Sequence, residues 1–241
     1  MTMTLFAPPV YTDADQTQWW DLFIRQRAAV ADHAYSAFAG SLTALGLHPD
    51  HIPACDEVNS PLQQLTGWKV YPLPSAMPDQ QFFRLMVFRR FGITGSLRKV
   101  GQTGPPDEPD LFHHFFGHLP LLADPRVAGY LHQLVLIAER FIDLPTVVQQ
   151  IARLYRHTIE YGLVREAGAI KIYGAGILSS LAATQHCLSP AASRGLFDLS
   201  PVLATPPAKG PLQPQYFVLA SIGQLDDIIC SLDQLLRSQF G

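Results

Sequence analysis

A chain of 241 residues with 48 % hydrophobic content can bury one sizeable core, as one large domain or two small ones. Charged residues make up only 15 % and the net charge is -3, so no basic face is available to attract nucleic acid. No apolar run reaches the roughly 18–20 residues that span a bilayer, and Met1–Val10 lacks the basic-then-apolar pattern of a signal peptide.

Residues 1–11 read as a loose N-terminal arm. Asp13 with Gln16 resembles a capping box, and apolar residues at near-helical period (Trp19, Leu22, Phe23, Ala29, Tyr35, Phe38, Leu42) predict one long helix to about Leu45, stopped by Gly46. A short helix is expected over 60–66 and a strand over Trp68–Leu73, broken by Pro74 and Pro78, with Pro78 opening a helix over Asp79–Val87. Residues 95–109, rich in Gly and Pro, read as a loop. A buried helix follows over Leu111–Leu122, then helices near 124–141 and 145–163 and a short strand over Ala169–Tyr173. Gly174-Ala175-Gly176 turns into a helix from about Ile177. Residues 188–214 are expected to wrap the surface, with a strand over Tyr216–Leu219 and a last helix from about Leu225 to Ser238. With no repeat and no composition shift, the expectation is a single domain over 1–241, mostly α with minor short β strands. Cys55, Cys187 and Cys230 are far apart and form no zinc or redox spacing. They read as ordinary core thiols of a reduced, cytoplasmic protein.

The densest chemistry lies in Glu108-Pro109-Asp110-Leu111-Phe112-His113-His114-Phe115-Phe116-Gly117-His118. Three of the nine histidines fall within six residues, among strongly apolar neighbours. Buried imidazoles are costly unless something coordinates or hydrogen-bonds them, and neutral imidazole suits iron, zinc and copper. On a regular helix a spacing of four rotates about 400° and puts His114 and His118 on one face. His113 and His118, five apart, lie about 140° from each other on that geometry. Spacing therefore favours His114 with His118, as on a zinc-protease helix, although Phe115 stands where that motif needs its glutamate. Glu160, in an apolar helical stretch, is the best third ligand. A salt bridge to Arg153, Arg156 or Arg165 is the equal alternative on spacing alone.

Several motifs together resemble the pterin-dependent aromatic amino acid hydroxylases, most nearly the short bacterial phenylalanine 4-hydroxylases. They are Glu108-Pro109-Asp110 with His113, Gly117-His118 and Pro120-Leu121; Tyr155, Thr158, Glu160 and Gly162-Leu163; and Ile172 to Ser180. Upstream stand Ile52-Pro53, Glu57-Val58-Asn59, Thr66-Gly67-Trp68 and Phe88 to Phe91. The likeness covers roughly residues 18–235 and implies that family's basket-like catalytic fold. It also implies iron(II) on His113, His118 and Glu160 rather than His114, a facial triad with open positions. The implied cofactor is a tetrahydropterin of the tetrahydrobiopterin or tetrahydromonapterin type. Dioxygen is the co-substrate, giving one oxygen atom to the pterin and one to the ring of a small aromatic substrate. By motif position Phe82 stacks on the pterin, the loop around Met77 offers it backbone hydrogen bonds, and Tyr155 sits near the iron and pterin. Arg98 clamps the amino acid carboxylate, Ser179 assists, and Pro109 and Asp110 shape the pocket mouth.

Three positions depart from the family. His114 stands where relatives carry an acid that contacts the pterin through water. Arg156-His157 replace aromatics, and Pro106 replaces a threonine on the substrate side. These differences fall on the pterin and substrate side. They predict an altered substrate or ring position, with Arg156 or His157 pairing with an acidic or hydroxylated aromatic. The competing readings are a zinc hydrolase built on His114 and His118, and a non-catalytic homologue. With no regulatory or tetramerisation segment recognised, a monomer or weak dimer is expected, with no nucleic-acid or membrane partner.

Overall fold

The computed structural model describes residues 10–73, 77–99, 109–208 and 212–240. Residues 1–9 of the expected arm, Pro74 and most of the 95–109 loop, including Pro106 and Glu108, lie outside that set. Helices dominate, with a few short strands, as the sequence predicts.

Helix α1 spans Asp13–Val30. Its capping box lies one residue earlier than predicted. Thr12 Oγ1 accepts from the Asp15 amide and the Asp15 carboxylate accepts from the Thr12 amide at 2.9 Å. Gln16 is used elsewhere, its side-chain oxygen accepting the Ile52 amide at 2.9 Å. The predicted long helix breaks after Val30, because the chain at 33–35 pairs with a strand. Tyr35 N–H donates to Ile172 O at 2.9 Å and Ile172 N–H to His33 O at 2.7 Å. The break is tertiary in origin, since the apolar period runs through it. Helix α2 (Ala37–Ala44) then ends before Gly46, which sits at φ +66° as a C-terminal stop requires. Helix α3 (Cys55–Thr66) begins five residues before the predicted start and accommodates Pro61 internally.

Strand β1 (Lys69–Leu73) pairs in parallel with β2 (Arg90–Thr94) across helix α4 (Asp79–Val87), whose bounds match the expectation. Strand β2 was not foreseen. The chain then runs through a π-helical turn (His113–His118) into α5 (Leu119–Ala123), α6 (Pro125–Arg140) and α7 (Pro145–Tyr155). A second π-helical turn (Arg156–Glu160) ends α7. The helix predicted to reach residue 163 thus stops at Glu160, and Leu163–Glu166 forms strand β3. Strand β4 (Ala169–Ile172) follows as a hairpin, then α8 (Ala175–Leu178) and α9 (Leu181–Leu188). The stretch expected only to wrap the surface contains β5 (Ser193–Leu196) and α10 (Leu199–Ala204). Strand β6 (Gln215–Leu219) and helix α11 (Gln224–Phe240) complete the chain. The second sheet has the order β4-β3-β6-β5, with β3–β6 and β5–β6 parallel.

The buried apolar residues form one connected cluster. Its aromatic centre lies directly behind the histidine turn. Phe112 stacks on Phe116 at 4.9 Å between ring centroids, while Trp19, Phe23 and Phe38 meet these rings edge-on at 5.1–5.6 Å. Two glycines allow the close approaches that set the site. A Cβ on Gly117 would fall 2.6 Å from Ala175 O, and one on Gly174 would fall 2.5 Å from Glu160 O. Both ligand-bearing turns therefore press against α8.

Candidate metal centre

The histidine turn is pinned at its start by Asp110. One carboxylate oxygen accepts the His113 amide at 2.9 Å and Arg98 Nη2 at 2.8 Å; the other accepts the Arg98 amide at 2.9 Å and Nε at 2.8 Å. Both side chains are buried. Burial alone would raise the Asp110 carboxyl, but the hydrogen bonds and charge of Arg98 hold it below its usual range.

The next six residues wind with i→i+5 hydrogen bonds, as shown by Leu119 N–H donating to His114 O. A turn this wide places residues five apart over one another. His113 and His118 therefore share a face, which the α-helical rotation forbade. Their Nε2 atoms lie 3.0 Å apart with the rings nearly perpendicular. The second ligand-bearing turn uses the same device, with Tyr161 N–H donating to Arg156 O at 2.9 Å. It delivers Glu160, whose Oε1 is 3.2 Å from His118 Nε2 and whose Oε2 is 3.6 Å from His113 Nε2. The arginines Arg153, Arg156 and Arg165 make no ion pair with Glu160, whose pairs are with the two histidines.

Three donors at 3.0–3.6 Å separation fit one first-row metal ion. At metal–ligand bonds of about 2.1 Å, ligands at right angles stand about 3.0 Å apart. Protonation also fits. Ser179 Oγ donates its one proton to Ala175 O at 2.8 Å, so at 2.9 Å it accepts from His113 Nδ1–H. That fixes the tautomer and leaves His113 Nε2 as a bare lone pair. Burial pushes the His113 imidazole down to about 4, against the pull of Glu160. Burial opposes ionisation of Glu160, yet the adjacent His118 and His113 hold it well below the carboxylate range. The set is thus a neutral imidazole, a second imidazole and a carboxylate anion, a donor set that suits iron(II).

These donors close one end of a cavity of about 400 Å³. Phe82, Phe83 and Phe91 form one wall, with Tyr155 meeting Phe82 edge-on at 6.0 Å. Burial first, and then the Glu160 carboxylate, keep the Tyr155 phenol protonated far above its usual range. Met77 and Pro109 lie at the cavity wall, Pro109 anchored through its carbonyl to Thr94 Oγ1 at 2.8 Å. Gln149, Arg153 and Arg156 also line the cavity.

The predicted site residues therefore separate into two groups. His113, His118, Glu160, Tyr155, Met77, Phe82, His114, Pro109 and Arg156 line the cavity. Arg98, Asp110 and Ser179 instead form a buried hydrogen-bonded cluster behind His113, and Arg98 lies 5.3 Å over the Phe112 ring. His157 faces away, its ring nitrogen bonded to Thr205 O at 2.9 Å and its ring edge-on to Phe217. Of the two unusual residues after Tyr155, only Arg156 is at the cavity. The pairing of His114 with His118 suggested by α-helical spacing is the looser one, at 6.0 Å between rings against 4.6 Å for His113 with His118. Phe91, whose ring lies 4.8 Å from His118, was missed, as were Phe83, Gln149, Pro206 and Pro207. Gln149, Ala152, Arg153 and Arg156 stand three and four apart on α7 and its extension, a spacing that marks one helical face.

Known proteins similar to this chain fall into one family. The family model for biopterin-dependent aromatic amino acid hydroxylases matches residues 7–240. A phenylalanine-4-hydroxylase of Ralstonia nicotianae is 36 % identical over 221 residues, covering 90 % of this chain and 69 % of that protein. One of Pseudomonas aeruginosa is 34 % identical over 232 residues, covering 94 % and 88 %. The crystal structure of Chromobacterium violaceum phenylalanine hydroxylase with bound iron(III) and 7,8-dihydrobiopterin superposes with a TM-score of 0.88 at 34 % identity, covering 97 % of this chain and 86 % of that one. The apo cold-active enzyme of Colwellia psychrerythraea gives 0.87 at 32 % identity, covering 96 % and 91 %. The matched residues, the shared fold and the two-histidine, one-carboxylate geometry lead to one conclusion: the chain belongs to the biopterin-dependent aromatic amino acid hydroxylase family.

Proposed function

We propose that this protein is an iron(II), tetrahydropterin-dependent monooxygenase that hydroxylates the ring of an aromatic amino acid, phenylalanine or a related aromatic. The observation that carries the reading is the convergence of His113, His118 and Glu160 at the end of an aromatic-walled cavity. Iron and pterin, when bound, would supply the reductive activation of dioxygen that ring hydroxylation needs. The chain's part is to bind, orient and keep out water. His113, His118 and Glu160 would hold the metal, with Ser179 keeping the His113 lone pair turned toward it. Phe82 offers a face to the pterin, with Met77, His114 and Tyr155 completing that side. Arg98, held by Asp110, and Ser179 serve the substrate carboxylate from behind His113, while Pro109 bounds the entrance.

A second reading, an altered substrate or ring position, is favoured by Arg156. Its guanidinium lies 5.5 Å over the Tyr161 ring, it makes one long bond of 3.4 Å to Tyr161 Oη, and its buried Nε has no partner. A cation so poorly satisfied at a cavity wall suits a hydroxyl or acidic group on the substrate. We further propose a cytoplasmic monomer or weak dimer acting as one catalytic unit. In support, its three cysteines carry no disulfide, although only Cys187 is the core thiol expected: Cys55 is half-buried and Cys230 is exposed on α11.

The test is a mass-spectrometric screen of aromatic amino acids with iron-loaded protein, tetrahydropterin and oxygen. Hydroxylated product formed in step with pterin oxidation is expected. Pterin- and oxygen-independent turnover, or no product from any aromatic, refutes the reading. Phenylalanine turnover as fast as that of ordinary relatives refutes the altered-substrate reading alone.

A further inference from the structure

His114 has no place in the triad, yet it is built into the same wall. Its side chain is more than nine-tenths buried and lines the metal end of the cavity. Neither ring nitrogen has a hydrogen-bond partner. A buried imidazole with both nitrogens unpaired is a costly arrangement that calls for a ligand. Its neighbours narrow the choice. Phe91 meets the ring at 6.0 Å and offers no lone pair or donor, while His113 and His118 lie 5.4 and 6.0 Å away between ring centres.

One nitrogen each from His113, His114 and His118 can be chosen so that all lie within 4.8 Å of one another. Two ligands on opposite sides of one metal stand about 4.2 Å apart at bonds of about 2.1 Å, and neighbouring ligands about 3.0 Å. The three nitrogens are thus close enough for a side-chain movement of His114 to gather them on one ion. A two-histidine, one-carboxylate site leaves positions open, so a place for a further nitrogen exists.

We propose that, before pterin and substrate enter, His114 is a fourth protein ligand to the metal held by His113, His118 and Glu160, and that it leaves the metal when pterin fills the cavity. The inference rests on the metal-site reading above and adds a closed resting form to it. The bound ion is then shielded by protein until the cofactor arrives. Linkage makes the effect reciprocal: if pterin must displace His114, metal weakens pterin binding in the native chain relative to a chain lacking that imidazole.

Cobalt(II) is the probe, with affinity measured by competition against a chelator and ligation by X-ray absorption, which counts coordinated imidazoles. Three imidazoles are expected in the native protein, falling to two when 7,8-dihydrobiopterin is added. His114→Ala should show two from the start and bind cobalt(II) at least ~10-fold more weakly. Two imidazoles in the native protein without pterin overturn the proposal, and that measurement needs no variant to fold. Equal cobalt(II) affinity in native protein and a folded His114→Ala overturns it as well. His113→Ala separates the two failures. If it abolishes cobalt(II) binding while His114→Ala is silent, only the fourth ligand is wrong; if His113→Ala and His114→Ala both leave binding intact, the triad itself is wrong.

Discussion

Replacing Ser179 by alanine separates the tuning of the metal site from the ligands themselves. The hydroxyl gives its proton to Ala175 O at 2.8 Å and takes one from His113 Nδ1 at 2.9 Å. Alanine leaves a buried N–H and a buried carbonyl each without that partner, a cost of about 1–3 kcal/mol per group in the folded protein. It also frees the imidazole to carry its proton on Nε2, the atom that faces Glu160 and His118. Losing such an outer partner weakens metal binding by about 10–100-fold, or about 1.4–2.7 kcal/mol. Iron(II) or cobalt(II) dissociation constants for the native protein, Ser179→Ala and Ser179→Thr provide the assay, alongside urea unfolding with the metal chelated. Threonine, which keeps the hydroxyl, should recover part of the affinity. If Ser179→Ala loses stability but binds metal as tightly as the native protein, the hydroxyl is structural only and the tautomer argument is wrong.

Asp110→Ala strands the Arg98 guanidinium in a buried site. It should lower stability by about 3–5 kcal/mol in urea, with the double change Arg98→Met and Asp110→Leu recovering most of the loss. Because the folded Asp110 carboxyl sits below its ordinary 3.8, the unfolded chain binds more protons on acidification. Its contribution is whole above that value and is lost as pH falls through the folded one, so Asp110→Asn should flatten the acid limb of a urea-midpoint profile. Gly117→Ala drives a Cβ to 2.6 Å from Ala175 O and should cost about 1–3 kcal/mol, read as a lower Tm in calorimetry, with weaker metal binding because α8 and Ser179 are pushed away. Arg156→Leu should shift kcat/KM toward phenylalanine and away from hydroxylated or acidic aromatics by ~10-fold or more, measured in competition by mass spectrometry.

Much of this molecule can be read from local pattern. Helix α4 begins at the residue after Pro78, and α6, α7 and α11 show their apolar faces at helical period. What escaped was set by partners distant in sequence. The break after Val30 comes from pairing with Ile172, and β2, β3 and β5 are set by parallel pairing with β1 and β6. Capping by Thr12 rather than Asp13 turned on Gln16 being committed to Ile52. In the site, residue types gave the cluster, but α-helical arithmetic favoured His114 with His118, and only the family resemblance implied His113 in its place. Nothing in the composition of His113–His118 announces a wide turn. Arg98 likewise shows only a charge among glycines, and its bond to Asp110 depends on a fold that returns the chain twelve residues later.

A wide helical turn has a capacity that an α turn lacks, because it projects more side chains to one side per revolution. In the first wide turn that surplus brings His113, His114 and His118 to a single wall, and in the second it brings Arg156 and Glu160 to the same cavity. Such a turn amounts to an α turn carrying one extra residue. Deleting His114 would shorten the spacing of the outer histidines to the four that an ordinary helix aligns, and flanking segments could keep their register. The expected outcome is a more stable backbone around a poorer site, with the metal retained and one cavity-facing group gone. The extra residue is thus an exchange of stability for chemical density, made at two points that meet at the candidate metal centre.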